Sequence, residues 1–397
     1  MINNKVIIWG RDGFNVLGLL RAYGKAGIDV FFLIKRGKGY ASRSKYCMSY
    51  HCVESDEEGL QFLLAHFTNE SVKPIIITPG DEIAVFINNH KEELEEHFII
   101  PGTAEKGLQE KYTDKNNMTE LARSLGILCP ESRFCQWNSN LDGVNYPCLI
   151  KPAHEKAGHY NEFKYKVCKD RVSLERTLRM VRHDSEFIVQ DYIQKEKEIL
   201  IYGARLSNGQ ILFAGTLIKY RWSNSGNASY AAATAAAIPQ CINLSGVVSF
   251  LDKIDYVGLF SFEFGVVGDK AYFFEVNLRN DGTSQYFYQA GANIPLAYAY
   301  SCAGLDYSEI PTKVTEDGKW FVDEIFDIEN VLAGKLSYRQ WKMEKQRASL
   351  YKYYDKEDEE PWRYLKRRRG VLIAKEMVVK RFRPYIVYIL DKLGIKK

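Results

Sequence analysis

Apolar positions open the chain as a short buried-strand run, Val6 to Trp9, followed by helical apolar spacing from Val16 to Tyr23 and a second run from Val30 to Ile34. This order reads as strand, glycine-containing turn, helix, strand. The stretch KPIIITPGDEIAVFINNHKEELEEHF adds a further strand, a turn at Pro79-Gly80 and a helix begun near Asp81. Residues 1–108 therefore read as a small parallel α/β domain. The pattern then changes. DKNNMTELARSLGILCPES gives a short helix stopped at Gly126, and YPCLIKPA and EFIVQDYI are buried strands. ILIYGARLSNGQILFAGTLIKYR reads as antiparallel strands turning at Asn208-Gly209. Residues 109–310 are thus expected to be α+β, in lobes of about 109–190 and 191–310. SNSGNASYAAATAAAI (Ser223 to Ile238), small and polar, reads as a mobile loop. After Gly304 the composition turns aromatic and charged, and 311–397 reads as a C-terminal extension.

A length of 397 residues exceeds what one core usually serves, so two or three domains are expected. No apolar run approaches the roughly 18 residues of a spanning helix, and the N-terminus has neither a basic region nor a cleavage site. A cytoplasmic protein is expected. The eight cysteines form no C-x-x-C pair and no zinc spacing, which fits reduced structural thiols. Gly10, Gly13 and Gly18 imitate a dinucleotide fingerprint without its spacing, and no acid closes the second strand. Close packing within a βαβ unit explains them better than a bound NAD.

The chemistry gathers near YFFEVNLRNDG. Side chains two apart on a strand share a face, so Glu275, Asn277 and Arg279 are expected to face one way. LFSFEFGVV and KAYFFEVN flank Gly268-Asp269 and read as a hairpin. With a three-residue loop, 268–270, Glu263 falls opposite Glu275, and a strictly two-residue turn would send Glu275 to the other face. Opposed side chains in an antiparallel pair have Cβ atoms roughly 5 Å apart, and two carboxylates that close call for a cation. Mg²⁺ suits oxygen donors and keeps phosphate oxygens in its shell. Asn277 adds a neutral oxygen, and Arg279 can meet the phosphate. Lys151, at the end of the CLI strand, and Lys115, opening a helix, sit where nucleotide phosphates would want them. Glu198 can accept from ribose hydroxyls, and backbone groups of Gln190, Asp191, Tyr192 and Ile193 can pair with an adenine edge. Lys219, Arg221 and Trp222 are candidates to line an acceptor site.

The order of these pieces resembles the ATP-grasp superfamily over about residues 5–305. TPGDEIAVFINNH is similar to its carboxylate–amine ligases, the group that includes bacterial D-aspartate ligase. The resemblance implies a parallel pre-ATP-grasp domain followed by two α+β lobes clasping ATP. It also implies a ligase that activates a carboxylate as an acyl phosphate, joins it to an amine (or a thiol), and releases ADP and phosphate. In that pattern Lys115 and Lys151 contact ATP, 190–193 frame adenine, and Glu198 takes the ribose. Glu263, Glu275 and Asn277 hold Mg²⁺ (or Mn²⁺), and Arg279 steadies the acyl phosphate, with Lys151 beside it in catalysis. The glycine-rich loop expected after the second lysine is represented by HEKAGHYNEFK, with one glycine. That departure leaves open an ATP-binding regulatory or scaffolding module without turnover.

Charge separates the tail from the body. Residues 363–397 hold twelve Lys and Arg against Glu376 and Asp391, a net of +10. The whole chain carries +4, so the remainder carries −6. Apolar residues at roughly helical spacing accompany these charges, and such a segment can lie on an anionic membrane. Nucleic acid is the rival partner and is disfavoured. Membrane contact would make a lipid-linked cell-envelope precursor a fitting amine acceptor.

Overall fold

A computed structural model of the chain describes residues 2–153, 165–181, 186–223, 226–235, 237–315 and 317–368. The first element is β1 (Val6–Arg11), then α1 (Phe14–Gly24), β2 (Val30–Lys35), β3 (Ser49–Val53) and α2 (Asp56–Phe67). After these come β4 (Ile75–Ile77), α3 (Asp81–Asn89) and α4 (Lys91–His97). The strands pair in parallel in the order β3-β2-β1-β4, which is the α/β domain that the apolar runs predict. Gly18 serves packing: a Cβ there would stand 2.9 Å from the Cβ of Gln285, so α1 lies tightly on helix Ser284–Gln289.

Two helices, α5 (Leu108–Thr113) and α6 (Lys115–Ser124), lead into a small lobe. Its strands are β5 (Ser132–Cys135), β6 (Cys148–Pro152), β7 (Lys166–Cys168) and β8 (Phe187–Asp191). They form an antiparallel sheet in the order β5-β8-β6-β7. The central sheet follows, built from β9 (Lys197–Arg205), β10 (Ile211–Trp222), β11 (Ala228–Thr234), β12 (Gly258–Val267), β13 (Lys270–Asn277) and β14 (Lys319–Val322). Its order is β13-β12-β9-β10-β11-β14, antiparallel throughout. The β9–β10 hairpin closes where expected, with Gly209 at φ 82°.

Two sequence expectations are corrected. Ser223 to Ile238 contains a strand, not only a loop, since Ala228–Thr234 pairs with both β10 and β14. Its alanines carry little β propensity, but Ala231 and Ala233 are fully buried in the core and Tyr230 stacks on Trp320 at 5.0 Å. The β12–β13 hairpin turns on two residues, with Val267 opposite Lys270, not on three.

The central sheet separates two cores. Phe250, Phe260, Phe262, Phe264 and Phe273 fill one side, under α6. Leu200, Tyr202 and Leu217 face the other, in one continuous core with Val6, Leu17 and Phe287. The N-terminal domain thus shares its core with the central sheet. The chain after Cys302 is tied into the same body. Asp358, buried, takes Arg21 at 3.0 Å, the Ser44 hydroxyl at 2.8 Å and the Lys45 amide at 2.9 Å. Glu324 accepts from the amides of Lys352, Tyr353 and Tyr354 at 3.0, 2.9 and 2.9 Å. Among the described residues no helix is long and apolar enough to cross a membrane. The basic tail lies outside them from residue 369, as does HEKAGHYNEFK (154–164).

Candidate active site

One face of the central sheet changes character along its strands. Where helices cover it the face presents Leu200 and Leu217; beyond them, on the same strands, it presents Glu198 and Lys219. Glu198 stands opposite Lys219 across β9–β10, and Glu263 stands opposite Leu200 across β12–β9. Glu263 is also opposite Glu275. With a two-residue turn this pairing requires an extra residue, and the ladder shifts register between Glu263 and Phe264, leaving Phe274 unpaired as a β-bulge. Gly265 admits the bulge, because a Cβ there would lie 2.1 Å from the tip of the Phe274 ring.

The electrostatics fit a cation. Burial pushes Glu263 up to about 7, with Glu275 adding to the rise and Lys219 opposing it. The Lys219 ammonium lies 2.6 Å from Glu263 and 3.6 Å from Glu198. Glu263, Glu275 and Asn277 present oxygen donors of the kind Mg²⁺ takes. Burial opposes the charge on Glu198, but Lys219 and Lys195 outweigh it and hold its pKa below the usual range. Trp222 Nε1 donates to Glu198 at 3.0 Å, and Lys195, bonded to the same carboxylate, lies 4.6 Å over the Trp222 ring. The sequence reading missed Lys195 and expected Trp222 at an acceptor site; only the fold brings both to Glu198.

The lysines converge from separate elements. Asp114 caps α6 by accepting from the amides of Asn116 and Asn117, both at 3.0 Å. This fixes the start of the helix at Lys115. The Met118 sulfur accepts from the Val276 amide at 3.4 Å, which seats α6 beside Glu275. Lys151, on β6, donates to Gln190 Oε1 at 3.4 Å. Burial brings Lys151 down to about 8; Lys115 adds to the fall and Glu275 opposes it. In the 190–193 segment the amides of Asp191 and Tyr192 already bond to Glu131 and Pro147, at 2.8 and 3.1 Å.

Three placements differ from expectation. Lys219 lies within the carboxylate cluster, between Glu198 and Glu263. Arg221 is turned away by a register irregularity between Lys219 and Arg221. It pairs with Asp327 at 2.8 and 2.6 Å and with Glu344 at 2.9 Å, tying β10 to the C-terminal segment. Arg279 does not face an open phosphate seat: both Asp81 carboxylate oxygens hold its Nε and Nη2 at 2.9 Å. Asp81, in the TPGDEIAVFINNH stretch, was not singled out as a site residue, although it opens a helix beyond the end of a parallel strand, where such folds place functional groups.

Residues 120–292 match the ATP-grasp domain family, and the chain has the ATP-grasp fold. Among curated relatives, N5-carboxyaminoimidazole ribonucleotide synthase of Haemophilus influenzae is 26% identical over 197 residues, 49% of this chain and 50% of its own. D-aspartate ligase of Enterococcus faecium is 23% identical over 265 residues, 60% of this chain and 61% of its own. The chain thus spans half to three-fifths of the length of these relatives. The structure of N5-carboxyaminoimidazole synthetase from Staphylococcus aureus complexed with ADP superposes with a TM-score of 0.64 at 14% identity, covering 84% of this chain and 86% of that one.

Proposed function

We propose that the protein is an ATP-dependent ligase that activates a small carboxylate as an acyl phosphate and joins it to an amine. The observation that carries this reading is the convergence of Glu263, Glu275 and Asn277 with Lys115 and Lys151 from other elements. A likeness to D-aspartate ligase supports a carboxylate and an amine as substrates.

A carboxylate is a poor electrophile because its leaving group would be oxide or hydroxide. Attack of a carboxylate oxygen on the γ-phosphorus, with ADP leaving, forms an acyl phosphate. An amine then attacks the acyl carbon, phosphate leaves, and the amine proton passes to solvent or phosphate. The protein's task is positioning and charge neutralisation. Lys115 and Lys151 bind the transferring phosphate oxygens. Glu198 receives the ribose hydroxyls, with Trp222 and Lys195 orienting it. Glu263, Glu275 and Asn277 would hold Mg²⁺, which when bound neutralises phosphate charge. Lys219 offsets the repulsion between Glu263 and Glu198. The division into a 1–108 domain, a 109–310 ATP-grasp body and a 311–397 extension is part of this reading. So is a lipid-linked envelope precursor as acceptor, supported by the net charge of the tail.

The test incubates the protein with ATP, Mg²⁺ and panels of amino acids and amines, and follows ADP, phosphate and product mass. Substrate-dependent ADP with a product joined at an amide is expected, and Glu275→Gln should lose most of it with the fold intact. No substrate-dependent ADP across the panel would overturn the ligase and leave a nucleotide-binding module. A product joined at a thiol or hydroxyl would replace the amine.

A further inference from the structure

Resting on the reading of Glu263, Glu275 and Asn277 as metal ligands, we propose that Asp81 is a positioning residue for that metal site. It acts from the N-terminal domain through Arg279. Asp81 is the first residue of α3, and both its oxygens engage the guanidinium in a paired, planar contact at 2.9 Å. Arg279 Nη2 also donates to Asn277 Oδ1 at 2.8 Å, and its Nη1 donates to the Asn280 carbonyl at 3.1 Å. Every nitrogen of the guanidinium is therefore engaged, and its side chain is 15% exposed. In this arrangement the group cannot seat a substrate carboxylate by its fork. What it can do is orient an amide.

A side-chain amide can turn over and exchange its oxygen for its nitrogen. Arg279, which has donors only, specifies that oxygen on its side, while Ser261 Oγ accepts from Asn277 Nδ2 at 3.0 Å on the other. An amide oxygen has two lone pairs, so one engages Arg279 and the second remains for a cation. Asp81 also keeps the Arg279 charge from competing for acids at the site. Asp281 lies 3.7 Å from Nη1, and Glu275 is close enough to raise the Arg279 pKa. Without Asp81 the guanidinium would turn to those carboxylates and oppose metal binding.

The next residue fixes the frame. Asn280, 1% exposed, accepts from Tyr202 Oη at 2.7 Å, and its backbone carbonyl accepts from Asn15 of α1 at 2.9 Å. Residues 277–280 thus run from the metal ligand to the domain interface, and a contact made by α3 reaches the metal through one side chain. Outer partners of metal ligands typically set affinity by 10–100-fold.

The experiment uses the full chain with Mn²⁺ and a non-hydrolysable ATP analogue, and follows Mn²⁺ by paramagnetic resonance. Asp81→Asn should weaken Mn²⁺ on the order of tenfold, with metal-free nucleotide binding unchanged. Asp81→Glu should restore part of the affinity. Glu82→Gln, on the same helix but paired with Arg11 and Lys35, should leave it unchanged. If Asp81→Asn does not fold, Arg279→Lys carries the test, since an ammonium cannot hold Asp81 and Asn277 in one plane; it should weaken Mn²⁺ similarly. Wild-type Mn²⁺ affinity in a folded Asp81→Asn protein, or in Arg279→Lys, overturns the proposal alone. A wild-type protein that binds no Mn²⁺ with nucleotide overturns the metal reading and this proposal with it.

Discussion

Glu263 faces Glu275 across a hairpin whose two-residue turn would, in a regular ladder, have sent Glu275 to the opposite face. The bulge at Phe274 restores the pairing, and Gly265 makes room for the ring. Two carboxylates meet on one face because a glycine and a phenylalanine are matched across the strands.

Gly265→Val should therefore cost more than its size suggests. Overpacking of this kind typically costs 1–3 kcal/mol, and here the ring it displaces sets the register of Glu275. We expect a lower denaturant midpoint together with weakened Mn²⁺ binding. Adding Phe274→Ala should recover a good part of both, which a thermodynamic cycle would detect as non-additivity. Simple additivity would show that ring and glycine are not coupled.

Lys219 is 6% exposed and lies between Glu198 and Glu263. Removing one partner of a buried ion pair typically costs about 3–5 kcal/mol, since the remaining charge is left uncompensated. Lys219→Met should lower Tm accordingly. Millimolar Mg²⁺ should return part of the loss, because a divalent ion at Glu263 and Glu275 replaces the missing charge. The same Tm with and without Mg²⁺ in the variant would argue against a shared cation seat.

Lys151, at about 8, gives nucleotide binding a definite pH slope. Below that pH the ammonium is already charged; above it, phosphate binding must take up a proton. ATP affinity should fall as pH rises from 8 to 9.5, by up to about tenfold per unit, and the calorimetric enthalpy should depend on the buffer. Lys151→Arg, always charged, should flatten the slope. An equally steep slope in Lys151→Arg would assign the titration to another group.

How far the sequence carried the structure depends on whether a feature is local. The parallel βαβ run, the helix starting at Lys115 and the Asn208-Gly209 turn were legible because apolar period, cap and turn chemistry lie within a few neighbours. Strand β11 was not, because its alanines are held by Tyr230, Trp320 and the flanking strands. The opposition of Glu263 and Glu275 was reached from a loop length that the structure does not have, since a bulge leaves no mark in the alternation. Arg221 and Arg279 were legible as cations but not by partner: Asp327, Glu344 and Asp81 lie 106, 123 and 198 residues away.

The last prediction concerns the basic tail. Residues 360–368 are helical, and Arg43 lies 4.1 Å over the Tyr364 ring, so this helix is fastened to the N-terminal domain. A truncation meant to isolate the tail should keep it and end after Arg368. The removed part, 369–397, holds eight Lys and Arg against Glu376 and Asp391, a net of +6, interspersed with Val378, Phe382, Ile386 and Leu393. Each charge near an anionic surface contributes about 1 kcal/mol, and screening over about 8 Å at physiological salt weakens that sum. Apolar insertion has to supply the rest. The full chain should co-sediment with phosphatidylserine-containing vesicles at low salt, release at high salt, and ignore neutral vesicles. The chain ending at Arg368 should keep its Tm and its nucleotide binding, because the Asp358 and Glu324 clamps remain, yet lose the vesicles. If it binds them as well as the full chain does, the attraction belongs to the body and the tail has no part in it.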